Sequence, residues 1–379
     1  MKIVIAPDSF KGSLTSVEAS RIINEAIWNF DPSINTVQIP MADGGEGTVD
    51  AVLWNRGGER ISCLALDPLG RKMTAQYGWL DEDRTAIIET AAASGLPLLS
   101  DAELDPERAS SFGTGQLIKD ALDRGAEKII LGLGGSATID AGTGLFQALG
   151  VKFVDDKQEE LLWIGGQLDR IAAIDVSGLD QRLEAVQITI ASDVSNPLLG
   201  NDGAVAVFGP QKGLAANQIE NFERGMRSFA DITTRQTGTA FAGEPGSGAA
   251  GGIGYLLRTL LNVEFRSGLE MISEAAGLAK QLEDADLVLT GEGKIDGQSL
   301  FGKVPVGIGR LAKETAVPVI AFAGSIGPGT EQLEHEGVAA IMPISDSPMS
   351  LSDAMLNSEK LLYNATTRLM KIIQIGKNM

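Results

Sequence analysis

Short, unbroken apolar runs rich in Ile and Val recur along the chain, and each gives way to a polar or glycine-rich turn. "KIVIA" runs into "PDSFKGS", "TVQIP" into "MADGGEGT" and "KIILGL" into "GGSATIDAGTG". Later come "QITIA" before "SDVSNP", "DLVLT" before "GEGKIDG" and "PVIAFA" before "GSIGPG". Apolar runs without period-two alternation are what a parallel sheet covered on both faces requires. Helices fall between them. Over 16–30, Val17, Ile22, Ile23, Ala26, Ile27 and Phe30 form one apolar stripe, opened by a Thr15/Glu18 capping box. Over 115–124, Leu117, Ile118, Ala121 and Leu122 do the same, and Gly125 supplies the stop. Strand, polar turn, helix, strand is the grammar of an open α/β sheet.

The pattern changes between about 61 and 100, where "RKMTAQYGWL" and "TAIIET" read as antiparallel strands. The 232–252 segment, "ITTRQTGTAFAGEPGSGAAGG", reads as a glycine-rich loop. These breaks predict a first domain of residues 1–60, completed by 285–379, with a second α/β domain, 61–284, inserted between.

Composition narrows the function. The 379 residues include 46 glycines and carry a formal charge of −19, from 31 basic and 50 acidic side chains. That balance opposes nucleic acid or an anionic membrane as partner, but not a small anion held by a local nest of N–H groups and lysines. One cysteine, Cys63, leaves no intrachain disulfide, and the opening "MKIVIAPDSF" has too short an apolar core for a signal peptide. A cytoplasmic protein is expected. The single histidine, His335, lies between Glu334 and Glu336 in "EQLEHEGV", which excludes Ser-His-Asp hydrolysis and His-ligated zinc. Proton transfer then falls to a carboxylate, a lysine or the substrate.

Ligands of open α/β sheets sit beyond the carboxyl ends of the strands. The turns there hold Asp8, Ser9 and Lys11; Asp43, Gly44, Gly45 and Glu46; Gly134, Gly135, Ser136 and Asp140. They also hold Ser192, Asp193 and Asn196, then Glu292, Lys294 and Asp296. Small residues admit a close ligand, carboxylates can hold Mg²⁺ and lysines can neutralise phosphate, a combination suited to phosphoryl transfer. Asp and Gly are equally ordinary turn and cap residues, so each turn keeps that plainer reading. Lys212 in "FGPQKG" is an anion contact or a plain turn residue. "GSGAAGG" (246–252) matches a dinucleotide fingerprint but has no strand before it. "GQSLFGKVP" (297–305) matches a P-loop as far as Lys303, where Val304 and Pro305 replace the hydroxyl that would hold Mg²⁺.

Read together, "APDSFKGSLTS", "MADGGEGTVDA", "ETAAASGL", "GTGQLI", "LGGSATIDAGTG", "DVSNPLLG", "GPQKG", "GAAGGIG" and "TGEGKIDGQSLFGKVP" resemble, in order, the landmarks of the bacterial type I glycerate kinases. The resemblance implies ATP-dependent phosphorylation of D-glycerate with Mg²⁺, in glyoxylate or glucarate carbon use. It also implies two domains, one flavodoxin-like or Rossmann-like, with the active site in the cleft between them. The chain departs from the family at Ile139 and Ala141, in a turn that is commonly Asn-Asp-Gly-Gly, at Lys294 for Arg and at Phe112 for Tyr or Arg.

On this reading Asp193 or Asp8 accepts the substrate hydroxyl proton, and Glu292 and Asp296 hold Mg²⁺. Lys11 and Lys294 neutralise phosphate or carboxylate, glycine turns 44–47 and 134–136 offer N–H groups, and Lys303 supports the site. Phosphate goes to O2 of glycerate, with O3 as the alternative. A non-catalytic carboxylate-binding protein and a nicotinamide dehydrogenase are the rival classes. A monomer or homodimer is expected.

Overall fold

The computed structural model describes residues 1–377. In chain order its strands are β1 (Lys2–Ile5), β2 (Asn35–Gln38), β3 (Glu59–Leu66), β4 (Lys72–Leu80), β5 (Thr85–Glu89), β6 (Lys128–Gly132) and β7 (Lys152–Val154). They continue as β8 (Ala173–Asp175), β9 (Gln187–Ala191), β10 (Val263–Arg266), β11 (Leu287–Ile295), β12 (Val319–Ile326) and β13 (Val338–Pro343). The chain divides into two compact units, one of Met1–Asp43, Asp50–Gly57 and Gly268–Met379, the other of Gly44–Val49 and Gly58–Ser267.

The first unit is a parallel five-stranded sheet ordered β13-β12-β11-β1-β2. Counted within the unit this is 2-1-3-4-5, the flavodoxin-like order, whose switch point lies where β1 meets β11. Apolar positions cover both faces. Ile3, Ile5 and Leu289 pack with Ile22, Ile23 and Ile27 of helix Ser16–Phe30 and with Leu362, Ala365 and Leu369 of the C-terminal helix. Ile295, Ala321 and Ala323 pack with Val306 and Leu333. Helix Ser16–Phe30 opens with the Thr15/Glu18 capping box, both halves formed.

The second unit is a mixed six-stranded sheet ordered β10-β9-β6-β5-β4-β3. β3, β4 and β5 pair antiparallel, as the change of pattern near residue 61 suggests, and β5, β6, β9 and β10 run parallel. Its core joins Tyr77, Ile88, Leu131 and Phe146 to Phe153, Phe229 and Tyr255.

Three local expectations change. "GEGKI" is strand rather than turn, because β11 runs on to Ile295 paired with β12. Residues 232–237 are helix, the end of Ile219–Thr237, where the Thr233 and Thr237 hydroxyls donate to carbonyls four residues earlier and Gly238 (φ +74°) makes the stop. Residues 268–284 group with the first unit, where Leu269 packs against Gly307 of helix Val304–Glu314; a Cβ at 307 would lie 2.6 Å from that leucine. No helix among the described residues is long and apolar enough to cross a membrane.

Candidate active site

In the first unit the chain continues past β1 in pairing with β11. Ala6 N–H donates to Leu289 O and Asp8 N–H to Gly291 O, each at 2.8 Å. This places Asp8 beside the part of β11 that carries Glu292. Asp8 and Glu292 are both only 6% exposed. The turn after Asp8 lies close over β11, since a Cβ at Gly293 would sit 3.2 Å from Lys11 N and one at Gly291 3.3 Å from the Phe10 ring. That turn closes through Phe10 N–H to Leu14 O at 2.8 Å, with Gly12 at φ +76°, and leaves Lys11 exposed.

Burial raises the Asp8 carboxyl well above its ordinary range, and the charges of Asp43 and Glu292 push the same way. The Ser9 N–H, donating to Oδ1 at 2.6 Å, and Lys11 oppose the shift. Glu292 is also raised, chiefly by burial, against the stabilising effects of Lys303 and Ser299. Its Oε1 accepts from Ser299 Oγ at 2.7 Å, and its Oε2 lies 3.3 Å from Lys303 Nζ. Lys294 Nζ lies 2.8 Å from Asp296 Oδ2. Ser299, which sequence reasoning passed over, bridges the two carboxylate segments, since its hydroxyl also accepts from Asp296 N–H at 3.3 Å. "GQSLFGKVP" is therefore a short 3₁₀ turn, Gly297–Phe301, leading into helix Val304–Glu314, with its lysine on a carboxylate of the same unit.

These residues open on a cavity of about 460 Å³. Its lining includes the charged residues Asp8, Lys11, Asp43, Glu292, Lys294 and Lys303. Apolar residues Phe10, Ile344, Leu351, Ala354, Met355 and Leu361 also line it, with serines such as Ser345 and Ser358 among them. A larger groove of about 900 Å³ lies in the second unit at the amino ends of β9 and β10, with no lysine or arginine in its lining.

The second unit gathers the remaining candidates at its own strand ends. Gly44 and Gly45 lie across the ends of β6 and β9. A Cβ at Gly44 (φ +86°) would be 2.6 Å from Ala191 O, and one at Gly134 2.4 Å from Gly45 Cα. Glycine is thus required here for backbone packing, whatever ligand the N–H groups serve. Glu46 and Gly135 are exposed, and Asp193 and Asn196 are partly so. The Asn196 amide donates to Asp202 O at 2.8 Å.

Asp140 differs from expectation. Helix Thr143–Ala148 starts three residues later, and the Asp140 carboxylate, wholly buried, fills the anion position itself. It accepts from Ser111 N–H and Oγ, each at 2.7 Å, and from Gly142 and Gly144 N–H at 3.1 and 3.2 Å. It is an internal anchor. Ile139 and Ala141 are likewise wholly buried, and Ala141 takes φ +51°, a backbone region that favours glycine. Lys212 is buried beneath the same loop, donating to Ser136 Oγ at 2.8 Å and Thr138 O at 2.7 Å. Burial lowers it to about 7, with Asp140 opposing. Glu89, another residue missed, ends β5 and accepts Val49 N–H at 2.7 Å, holding the 44–49 segment; burial pushes it up to about 7. Its only sequence signal is a carboxylate closing an apolar strand, "AIIE".

The sequence profile described as the glycerate kinase family matches residues 3–374. A glycerate kinase of Bacillus subtilis (strain 168) is 41% identical over 379 residues, covering 100% of this chain and 99% of the relative. A glycerate 2-kinase of Escherichia coli (strain K12) is 40% identical over 376 residues, covering 99% of each. The crystal structure of a putative glycerate kinase 2 from Salmonella typhimurium LT2 superposes with a TM-score of 0.84 at 40% identity, covering 100% of both chains.

Two stability predictions follow from the buried charges. A carboxyl raised in the folded state binds its proton more tightly there than when unfolded. Its contribution therefore falls as pH rises from the ordinary aspartate range through its raised folded value. Asp8→Asn should melt above the wild type by a margin that grows as pH rises above the ordinary aspartate range; a constant margin in thermal melts would show that Asp8 is not penalised by burial. Lys212 is lowered in the folded state, so between about pH 7 and the ordinary lysine range stability rises with pH. Lys212→Met should flatten that rise in urea midpoints, and an unchanged slope would count against a charge-penalised Lys212.

Proposed function

The chain belongs to the glycerate kinase family, and we propose that it transfers the γ-phosphoryl group of ATP to O2 of D-glycerate, giving 2-phospho-D-glycerate and ADP. The observation that carries this reading is the Asp8–Lys11 turn at the β1/β11 switch point, where a buried carboxyl and an exposed lysine line one cavity. The name of the Escherichia coli relative supports O2 rather than O3 as acceptor.

Asp8 accepts the proton of the substrate hydroxyl as its oxygen bonds to the γ-phosphorus and the bond to the β-phosphate oxygen breaks. A carboxyl raised by burial is a stronger base when ionised than an ordinary aspartate, closer to what proton abstraction near neutrality requires. Lys11, exposed at the tip of its turn, supplies positive charge to the transferring group, and Lys294 and Lys303 hold Asp296 and Glu292 in place while adding to that field.

Among the described residues no group of three or more His, Cys, Asp and Glu side chains is set to hold a metal ion. Mg²⁺ does not need one, since it arrives on the nucleotide phosphates and takes one or two protein carboxylates. Asp43 and Glu292 fit that need, because Asp43 raises the Glu292 pKa and a nearby cation would relieve their repulsion. Asp296, with Lys294 at 2.8 Å, is the weaker choice. Bound Mg²⁺ would neutralise charge on the β- and γ-phosphate oxygens. We place the enzyme in the cytoplasm, in glyoxylate- or glucarate-type carbon use.

ADP release from Mg·ATP, compared with D-glycerate, L-glycerate and no acceptor, tests the reaction, and phosphorus NMR of the product reads its regiochemistry. The expected outcome is D-glycerate-dependent release with the 2-phosphate signal, and a loss of about 10²–10³ in kcat for Lys11→Ala. Glycerate binding by calorimetry without acceptor-stimulated ADP release would replace the kinase with a binding protein.

A further inference from the structure

We infer that the apolar half of the cavity in the first unit, walled by Phe10, Ile344, Leu351, Ala354, Met355 and Leu361, seats the purine nucleoside of the phosphoryl donor, with the phosphates directed to the Lys11 side. The inference rests on ATP being the donor and adds where its base is held. The cavity is amphiphilic. Lysines 11, 294 and 303 line it together with six apolar side chains, Phe10 from the turn after β1 and five from residues 344–361. Glycerate, a three-carbon hydroxy acid with a polar group on every carbon, has no surface to match an apolar wall. A nucleotide has an anionic chain at one end and a flat, largely apolar ring at the other. At about 460 Å³ the cavity falls within the roughly 300–1,000 Å³ of small-molecule sites, which are mostly apolar with a few placed polar groups.

Two further features point the same way. Leu351, which opens the short helix Leu351–Leu356, lines the cavity yet is 77% exposed. A ring seated beside it would cover apolar surface that now faces water. Met355 connects the apolar wall to the phosphate side: a Cβ at Gly12 would lie 2.7 Å from Met355 Cε, so this methionine rests on the turn that carries Lys11. The position, beyond the carboxyl ends of β1 and β11, is also where flavodoxin-like sheets hold nucleotides.

Photolabelling of the intact protein with 8-azido-ATP, followed by peptide mapping, tests the seat directly. Label is expected within 344–361 or on the Phe10–Leu14 turn, and it should be displaced by excess ATP. Ala354→Trp, which fills the cavity, should weaken ATP in calorimetry by about tenfold or more, while inorganic triphosphate, which lacks the base, changes by less than about twofold. Leu351→Ser alters an exposed side chain, so folding is not at issue, and it should weaken ATP by about threefold. Label mapping elsewhere, or equal losses for ATP and triphosphate, would overturn the assignment. If D-glycerate-dependent ADP release persists while the label maps elsewhere, the base seat falls and the kinase stands. If 344–361 is labelled in a protein that releases no ADP with any acceptor, the seat stands and the kinase falls.

Discussion

A carboxyl withdrawn from water at the end of β1 is the constraint around which the first unit is arranged. Asp8 is 6% exposed and stands near Asp43 and Glu292, each of which makes its ionisation harder. A buried carboxylate persists only where hydrogen bonds and opposite charge offset its desolvation. The Ser9 N–H supplies one bond and Lys11 an opposing charge, while Lys303 and Ser299 do the same for Glu292. The turn holding Phe10 and Lys11 lies close over β11, where a Cβ at Gly293 would be tight against Lys11 N, and a Cβ at Gly291 would press to 2.6 Å from Phe322 O of β12.

The second unit meets a related demand differently. Its strand-end loops bring backbone against backbone at Gly44, Gly132 and Gly134, where no Cβ fits. Internal charges hold the loops in place. Asp140 satisfies N–H groups at the start of its helix, Lys212 ties Ser136 to Thr138 from below, and Glu89 holds Val49. Fixing these loops costs buried charge, and the displaced pKa values of Lys212 and Glu89, both about 7, record that cost.

Much of this was legible because apolar period and turn chemistry are local. The parallel strands, the antiparallel change near 61, the Thr15/Glu18 cap and the Gly125 stop all rest on neighbours within a few residues. What escaped depends on distant partners. β11 extends through "GEGKI" because β12 pairs with it, and pairing overrides the turn propensity of Gly-Glu-Gly. Asp140 reads as a ligand-facing residue until Ser111, 29 positions earlier, is seen to occupy it. Ser299 bears no mark in the sequence beyond its place after a strand, and Glu89 none beyond closing one. The Ile139 and Ala141 departures, which looked like changes at a phosphate turn, lie wholly inside the core.

The account turns on Asp8 being a buried, hard-to-ionise carboxyl, and its titration can be followed directly. Carbon-13 NMR of carboxyl-labelled aspartates across pH, with the Asp8 signal identified by its loss in Asp8→Asn, reads that one group. The prediction is an Asp8 midpoint well above the usual aspartate range near about 3.9. An Asp8 signal that titrates with the rest would remove the constraint from which the site has been built.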